Sequence, residues 1–201
     1  CADVPTVLFD SNIEGVGKAF IGSDNAQSIP LIVEYLCRTG SPPCFFEMPP
    51  VNPNANKRRA AFVSAMERLG HEPRVIRVEG NTWNFEQIGL SGGLDLFGKD
   101  GFPSDTVLCS NDRLAIGLIA AACEMKIPVG REPDCRVRIA GHDDHPFSRF
   151  TSPPLTTVAQ DYSAISGKSV EVLFSLIETR GDLSTREETL FEGKLVMRGS
   201  A

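Results

Sequence analysis

Short apolar runs rich in β-branched and aromatic residues alternate along this chain with longer stretches of helical period, and this constrains the fold more than any other feature. Strands that alternate with helices must be joined by crossovers, so the pattern predicts an α/β fold built on parallel sheet. The strand candidates are residues 6–9, 19–21, 44–48, 74–78, 106–109 and 137–140. The helices between them have readable ends. Asp24 is placed to cap one whose apolar positions Ile29, Ile32, Val33 and Leu36 share a face, and Gly40 stops it. Pro30 is expected to kink that helix or delay its start. A second helix runs from about Asn56 with Phe62, Met66 and Leu69 inward. A third begins at Asn111 or Asp112 with Leu114, Leu118, Ala121 and Met125 along one stripe. A last helix from Asp161 is expected to bury Ile165, Val172, Leu173, Leu176 and Ile177.

Two proline-rich stretches break this rhythm, MPPVNPNAN at 48–56 and SPPLTTVAQ at 152–160. Each proline removes an amide donor and biases its predecessor to extended geometry, so neither stretch is expected to be helical. The first follows a strand, where α/β proteins tend to put ligand contacts, and the second reads as a segment crossing between subdomains. The 201 residues are 41% hydrophobic and 23% charged, enough to bury one large core or two small ones. Lys and Arg number 20 against 26 Asp and Glu, a net charge of −6, and since a phosphate-backbone binder normally carries a basic face, these residues are not expected to grip nucleic acid themselves. No window approaches the roughly 18–20 apolar residues of a membrane helix, and no leader opens the chain. The first residue is Cys1 with a strand candidate close behind, which suggests a piece of a longer protein.

Six cysteines at 1, 37, 44, 109, 123 and 135 lack zinc spacing, and Cys109 and Cys123 fall in apolar runs, so reduced cytosolic thiols are favoured over three disulfides. Four segments carry candidate chemistry. GLSGG at 89–93 fits the G-x-S-x-G pattern of a hydrolase elbow with Ser91 as nucleophile, but no strand precedes it, and a glycine-rich helix turn or loop explains it better. HDDH at 142–145 follows a strand. Neighbouring residues there point to opposite faces, so metal binding is not expected; one aspartate should face a cleft while the other is solvated or caps a turn. SNDRLAIG at 110–117 offers Asn and Asp at a cleft edge or simply caps a helix. Arg58 and Arg59 fall in a first helical turn, where cations oppose the helix dipole, so either one has a partner or both are solvated.

Taken in order, these segments resemble the effector-binding domain of the lactose-repressor (LacI) family of transcriptional regulators. The resemblance is carried by VPTVLFD at 4–10, SDN at 23–25, KRRAAF at 57–62, SNDRLAIG at 110–117, RIAGHDD at 138–144, PPLTTVAQD at 153–161 and LVMRGS at 195–200. It implies two Rossmann-like subdomains of the periplasmic-binding-protein-like type I fold, the first incomplete. Residues 1–23 would end the first subdomain, 24–160 form the second, 161–190 return to pack on the first, and 191–201 give the second its final strand. By position the ligand site would take Asp10, Arg58, Asn111 and Asp143, with Gln160 at the hinge; Trp83 or Phe85 would cover the sugar ring and Tyr162 would add a wall. His142 stands where the family usually has an aromatic, and would alter ligand preference or add pH sensitivity.

The function so implied is sensing of a sugar-like effector by a cytoplasmic homodimer, with no cofactor, metal or membrane. Operator DNA would be bound through an N-terminal headpiece outside this chain. A periplasmic sugar-binding protein of a transporter is the alternative, and a serine hydrolase using Ser91 a remote one. Removing Arg58 or Asp143 is expected to abolish effector binding and leave the thermal midpoint without ligand little changed.

Overall fold

In the computed structural model, residues 4–51, 53–77, 82–179 and 186–201 are described. The main sheet has four parallel strands, β3 (Cys44–Phe46), β4 (Val75–Ile76), β5 (Thr106–Cys109) and β6 (Arg138–Ala140), in the order β4-β3-β5-β6. Phe45 pairs with Val75 and Leu108, and Val107 with Ile139. Both faces are covered, which is why these strands read as unbroken apolar runs. Cys44, Phe46, Val107, Cys109 and Ile139 point to one side, under helices α3 (Phe85–Phe97) and α4 (Asp112–Glu124). Phe45, Leu108 and Ala140 point to the other, under α1 (Asn25–Thr39) and α2 (Pro53–Arg68).

A second parallel sheet, in the order β1-β2-β8, contains β1 (Val7–Phe9), β2 (Ala19–Ser23) and β8 (Glu187–Phe191). Helix α5 (Tyr162–Glu178) packs on it through Ile165, Val172 and Leu176. An antiparallel pair, β7 (Thr157–Ala159) and β9 (Lys194–Val196), joins the end of the main sheet through bridges at Ala140–Thr156 and Asp143–Ala159. The chain passes between the two sheets at Asp24, at Gln160 and Asp161, and again after Phe191, one residue beyond the expected boundary at 190. β8 was not among the expected strands, since EETLF opens with three polar residues and offers no apolar run; as an edge strand it alternates half-buried and exposed positions.

Helix ends follow the capping residues. The Asp24 carboxylate accepts from the amides of Ala26 (2.9 Å) and Gln27 (3.1 Å), and Gly40 ends α1. Pro30 neither delays the start of α1 nor divides the helix. Ile29, Ile32, Val33 and Leu36 are fully buried; at about 1.5–3 kcal/mol each they outweigh the roughly 3 kcal/mol a mid-helix proline costs. α2 starts at Pro53, three residues earlier than expected, because proline at the first helical position loses no hydrogen bond. The proline stretch at 48–56 is therefore partly helical. Leu69, Met125 and Ile177, expected inward, are exposed. Leu69 and Met125 lie just beyond the ends of α2 and α4. The strand expected at 74–78 is ordered as β4 over two residues, and Val78 lies outside the described residues.

GLSGG lies inside α3. A Cβ at Gly89 would stand 2.1 Å from the Leu114 carbonyl oxygen, and one at Gly117 would stand 2.0 Å from that of Glu86. The glycines let α3 and α4 touch backbone to backbone. Ser91 is exposed mid-helix and accepts from Gln87 Nε2 at 3.0 Å, so the strand-turn-helix elbow a serine nucleophile requires is missing there.

Candidate functional site

Parallel strands end at one edge, and the segments that leave β1, β3, β5 and β6 converge there. Between the two sheets lies a cavity of about 150 Å³. Asp10, Arg58, Asn111, Asp143 and Gln160 line it, with Trp83, Phe85 and Tyr162 as its aromatic walls, so all eight residues singled out in the sequence meet in one place. Met48, Asn54 and Arg113 complete the lining.

The polar floor is built around Arg58, which is only 3% exposed. With α2 starting at Pro53, Arg58 falls in the second turn rather than the first, and its charge is met by partners instead of solvent. Nε donates to Asn25 Oδ1 (3.1 Å), Nη1 to the Ser110 carbonyl (2.7 Å) and Nη2 to Asp143 Oδ1 (2.6 Å). Arg59 instead pairs with Glu47 at 3.2 Å. Burial of Arg58 argues against the expectation that it can be removed without loss of stability, because the half-buried Asp143 carboxylate would lose its cation.

Asp143 follows β6 with φ 126°, and Asp10 follows β1 with φ 60°, so both lining aspartates occupy the left-handed region unusual for a side-chain-bearing residue. Asp143 Oδ1 also accepts from Gln160 Nε2 (2.5 Å) and lies 3.1 Å from His142 Nδ1. Burial works against the Asp143 carboxylate, but the adjacent Arg58 charge and the His142 and Arg58 hydrogen bonds hold its pKa down at about 2. Gln160 is fixed in turn, since its Oε1 accepts a short hydrogen bond from Ser23. Asp10 is pushed above the usual carboxylate range by burial, against the pull of Arg58; Asn54 Nδ2 donates to its carbonyl at 3.2 Å and its Oδ1 at 3.4 Å.

His142 is fully buried and absent from the cavity lining, contrary to the expectation that it would tune the ligand or sense pH near neutrality. Burial and the Arg58 charge bring its pKa down to about 4. A carboxylate only accepts, so the neutral ring carries its proton on Nδ1 toward Asp143, and Nε2 accepts from the Ser28 hydroxyl at 2.9 Å. Asp144, the other aspartate of the HDDH run, is half-buried and pairs with Arg198 at 2.7 Å instead of being solvated or capping a turn.

The two readings of SNDRLAIG divide between its residues. Asn111 does both jobs: its Oδ1 caps α4 through the Leu114 amide (2.8 Å), while its Nδ2 lines the cavity beside Met48 Sδ (3.1 Å). Asp112 turns away from the cleft and is wholly buried. Its carboxylate accepts from Thr157 (2.6 Å), Ser148 (2.6 Å) and the His145 amide (2.8 Å), tying down the loop that carries Asp143. Burial and the nearby Asp143 charge raise its pKa to about 6 in spite of those bonds.

The three lining residues not singled out beforehand each had a signal. Met48 and Asn54 lie in the proline stretch after β3, already marked as a ligand-contacting loop, and Arg113 directly follows the Asn-Asp pair. Arg113 donates Nε and Nη2 to the two carboxylate oxygens of Glu86 (2.7 and 2.6 Å), with its guanidinium carbon 5.3 Å from the centre of the Phe85 ring. Trp83 and Phe85 stand 5.7 Å apart, Trp83 exposed and Phe85 buried. Among the described residues no group of three or more His, Cys, Asp or Glu is arranged for a metal, and no helix is long and apolar enough to cross a membrane.

Residues 36–201 match the family of periplasmic binding protein-like domains. The HTH-type transcriptional regulator MalR of Streptomyces coelicolor is 29% identical over 202 residues, and reg1 of Streptomyces lividans is 31% identical over 203. Each alignment takes in 98% of this chain and 56% of the relative, so the chain spans about half the length of these curated relatives. A Lac repressor crystal structure with bound ONPG superposes with a TM-score of 0.84 at 25% identity, over 100% of this chain and 58% of that one. A LacI-family regulatory protein from Chloroflexus aggregans gives 0.79 at 27%, over 98% and 68%.

Proposed function

Because the chain belongs to the family of periplasmic binding protein-like domains, we propose that it is the effector-sensing part of a LacI-type transcriptional regulator. The effector is a small sugar-like molecule held in the cavity between the two sheets. The observation that carries this reading is the convergence of Asp10 from the three-stranded half, Arg58, Asn111 and Asp143 from the four-stranded half, and Gln160 from a crossing segment. Asp, Asn and Arg each engage two neighbouring hydroxyls, which suits a polyol, and Trp83, Phe85 and Tyr162 supply apolar faces for a sugar ring. Residues up to 23 and from 161 to 191 belong to one sensing half, and 24–160 and 192–201 to the other.

A ligand touching both halves favours one relative orientation over another, and that difference in affinity is the only free energy available to alter DNA binding. The whole protein is a cytoplasmic homodimer that carries its operator-binding headpiece before this chain and performs no catalysis. Two-fold symmetry then calls for a pseudo-palindromic operator. The test is a thermal-shift screen of sugars, sugar acids and nucleosides against the full-length protein, followed by operator binding with and without each hit. A bound sugar raises the midpoint by mass action, by about 2.7 kcal/mol of stability at a hundred times its Kd, and shifts operator affinity. A protein whose midpoint and operator affinity respond to no sugar overturns the reading.

A further inference from the structure

We propose that the Glu86–Arg113 pair sets this cavity for an uncharged polyhydroxylated ligand and against its acid or phosphate ester, with Arg113 as a ligand-reading residue and Glu86 as the residue that positions and neutralises it. The inference rests on the sugar-sensing reading above and concerns which sugars are admitted.

The charge inventory leads to it. Three carboxylates, Asp10, Asp143 and Glu86, stand at or beside the cavity against two guanidiniums, Arg58 and Arg113. Neither cation is spare. All three nitrogens of Arg58 already donate to Asn25, Ser110 and Asp143, and Arg113 is held by both oxygens of Glu86. Asp10 has no cation within salt-bridge distance among the described residues; its side-chain partner is the Asn54 amide, and Arg58 and Lys57 act on it only from further off. An anionic ligand would therefore meet two carboxylates in the lining and no guanidinium free of a carboxylate partner, in a partly desolvated site where unpaired charge costs far more than in water. A hydroxylated neutral ring meets donors and acceptors only.

Arg113 has its own place in this arrangement. It stands in the first turn of α4, where a cation opposes the helix dipole. Glu86 stands in the first turn of α3, and the close contact of the two helices at Gly89 and Gly117 brings the residues together. The bidentate bond uses Nε and Nη2 and leaves Nη1 without a protein hydrogen bond among the described residues, in a side chain that lines the cavity over Phe85. That nitrogen is the donor available to a ligand oxygen at the aromatic wall. If the Glu86 charge were removed, the same guanidinium would become an unneutralised cation facing the cavity.

The test uses the full-length protein with neutral probes D-glucose, D-galactose, D-ribose and maltose, each compared with an acidic partner: D-glucuronate, D-galacturonate, D-ribose 5-phosphate and maltobionate. For the neutral sugar that binds, calorimetry should show at least a hundredfold preference over its acidic partner. Glu86→Gln should narrow that preference about tenfold, chiefly by improving binding of the acid, and Arg113→Gln should weaken the neutral sugar about tenfold and widen the preference. A merely structural role would move both variants the same way. Equal binding of sugar and acid by the wild type, or an unchanged preference in Glu86→Gln, overturns this inference and leaves the sugar-sensing reading standing. Failure of every neutral and acidic probe to bind overturns both.

Discussion

Two guanidinium–carboxylate pairs stand at the same cavity, each with its arginine in the lining, and are built on opposite plans. Arg58–Asp143 is buried on its arginine side, with each guanidinium nitrogen engaged and the carboxylate shared with Gln160 and His142. Glu86–Arg113 is more than a third exposed on both sides, and its bonds within the pair are almost its whole support. The first joins α2 to the loop after β6 and so belongs to the architecture; the second joins two helix ends already packed together. Similar short distances therefore carry different energetic weight, since a buried charge cannot exchange its partner for water and an exposed one can.

The largest expected effect breaks the first pair. Arg58→Ala should abolish effector binding and lower stability by about 3–5 kcal/mol, because it leaves the Asp143 carboxylate without its cation. Urea unfolding checks this. A loss under about 1 kcal/mol would mean that the Asp143 charge is met by solvent, and the contrast between the pairs would collapse.

Next in size is a pH effect confined to the buried pair's surroundings. His142 has its pKa lowered to about 4 from an ordinary 6.5, so it favours the fold when neutral, and that contribution is lost as pH falls from 6.5 through 4. Asp112 has its pKa raised to about 6 from 3.8, so it favours the fold when protonated, and that contribution is lost as pH rises from 3.8 through 6. Each shift is worth on the order of 3 kcal/mol, and over the shared window the two oppose each other. His142→Asn should therefore tilt the stability profile, making the protein lose stability from pH 4 to 6 by about 2 kcal/mol more than the wild type. Chemical denaturation at pH 4.5 and 6.5 reads this directly, and parallel profiles for the two proteins would refute it.

The exposed pair depends on helix contact rather than on a network. Gly117→Ala places a methyl 2.0 Å from the Glu86 carbonyl, so α3 and α4 must separate, at a cost of about 1–3 kcal/mol. The separation should loosen Glu86 from Arg113 while Arg58–Asp143 stays intact. Unfolding measurements together with sugar-acid discrimination would sharpen the comparison: stability and discrimination should fall together in Gly117→Ala, with neutral-sugar binding largely kept.

Much of this site was legible before any coordinates because parallel strands deliver their following residues to one edge. Asp10, Asn111 and Asp143 each sit at or just past a strand end, and Arg58 starts from the loop after another. The family resemblance then singled them out from other polar residues. Side-chain direction was harder to read. Asp112 and Asn111 are neighbours in sequence, yet one faces the cavity and the other the loop at Ser148 and Thr157, a choice made by distant hydroxyls. His142 reads as a pH sensor only while its burial is unknown. The start of α2 was missed because a proline that forbids a helix interior is welcome at its first position. Arg113 escaped notice because its role depends on Glu86, a residue on another helix, brought close by glycines that resembled a hydrolase motif.

The smallest expected effect is also the sharpest test of the contrast. Arg113→Ala removes a bidentate pair at distances like those of Arg58–Asp143, so distance alone would predict comparable losses. Exposure predicts otherwise. Glu86 is left at the first turn of α3, where the helix dipole favours a carboxylate and water can solvate it. Arg113 itself no longer opposes the dipole of α4. These terms offset the lost pair, and stability should change by under about 1 kcal/mol. Matched urea curves for Arg113→Ala and Arg58→Ala settle the comparison: similar midpoints would show that the two pairs are equivalent, whereas a shift of several kcal/mol in Arg58→Ala alone would show that burial, and not hydrogen-bond length, decides which pair holds the cavity together.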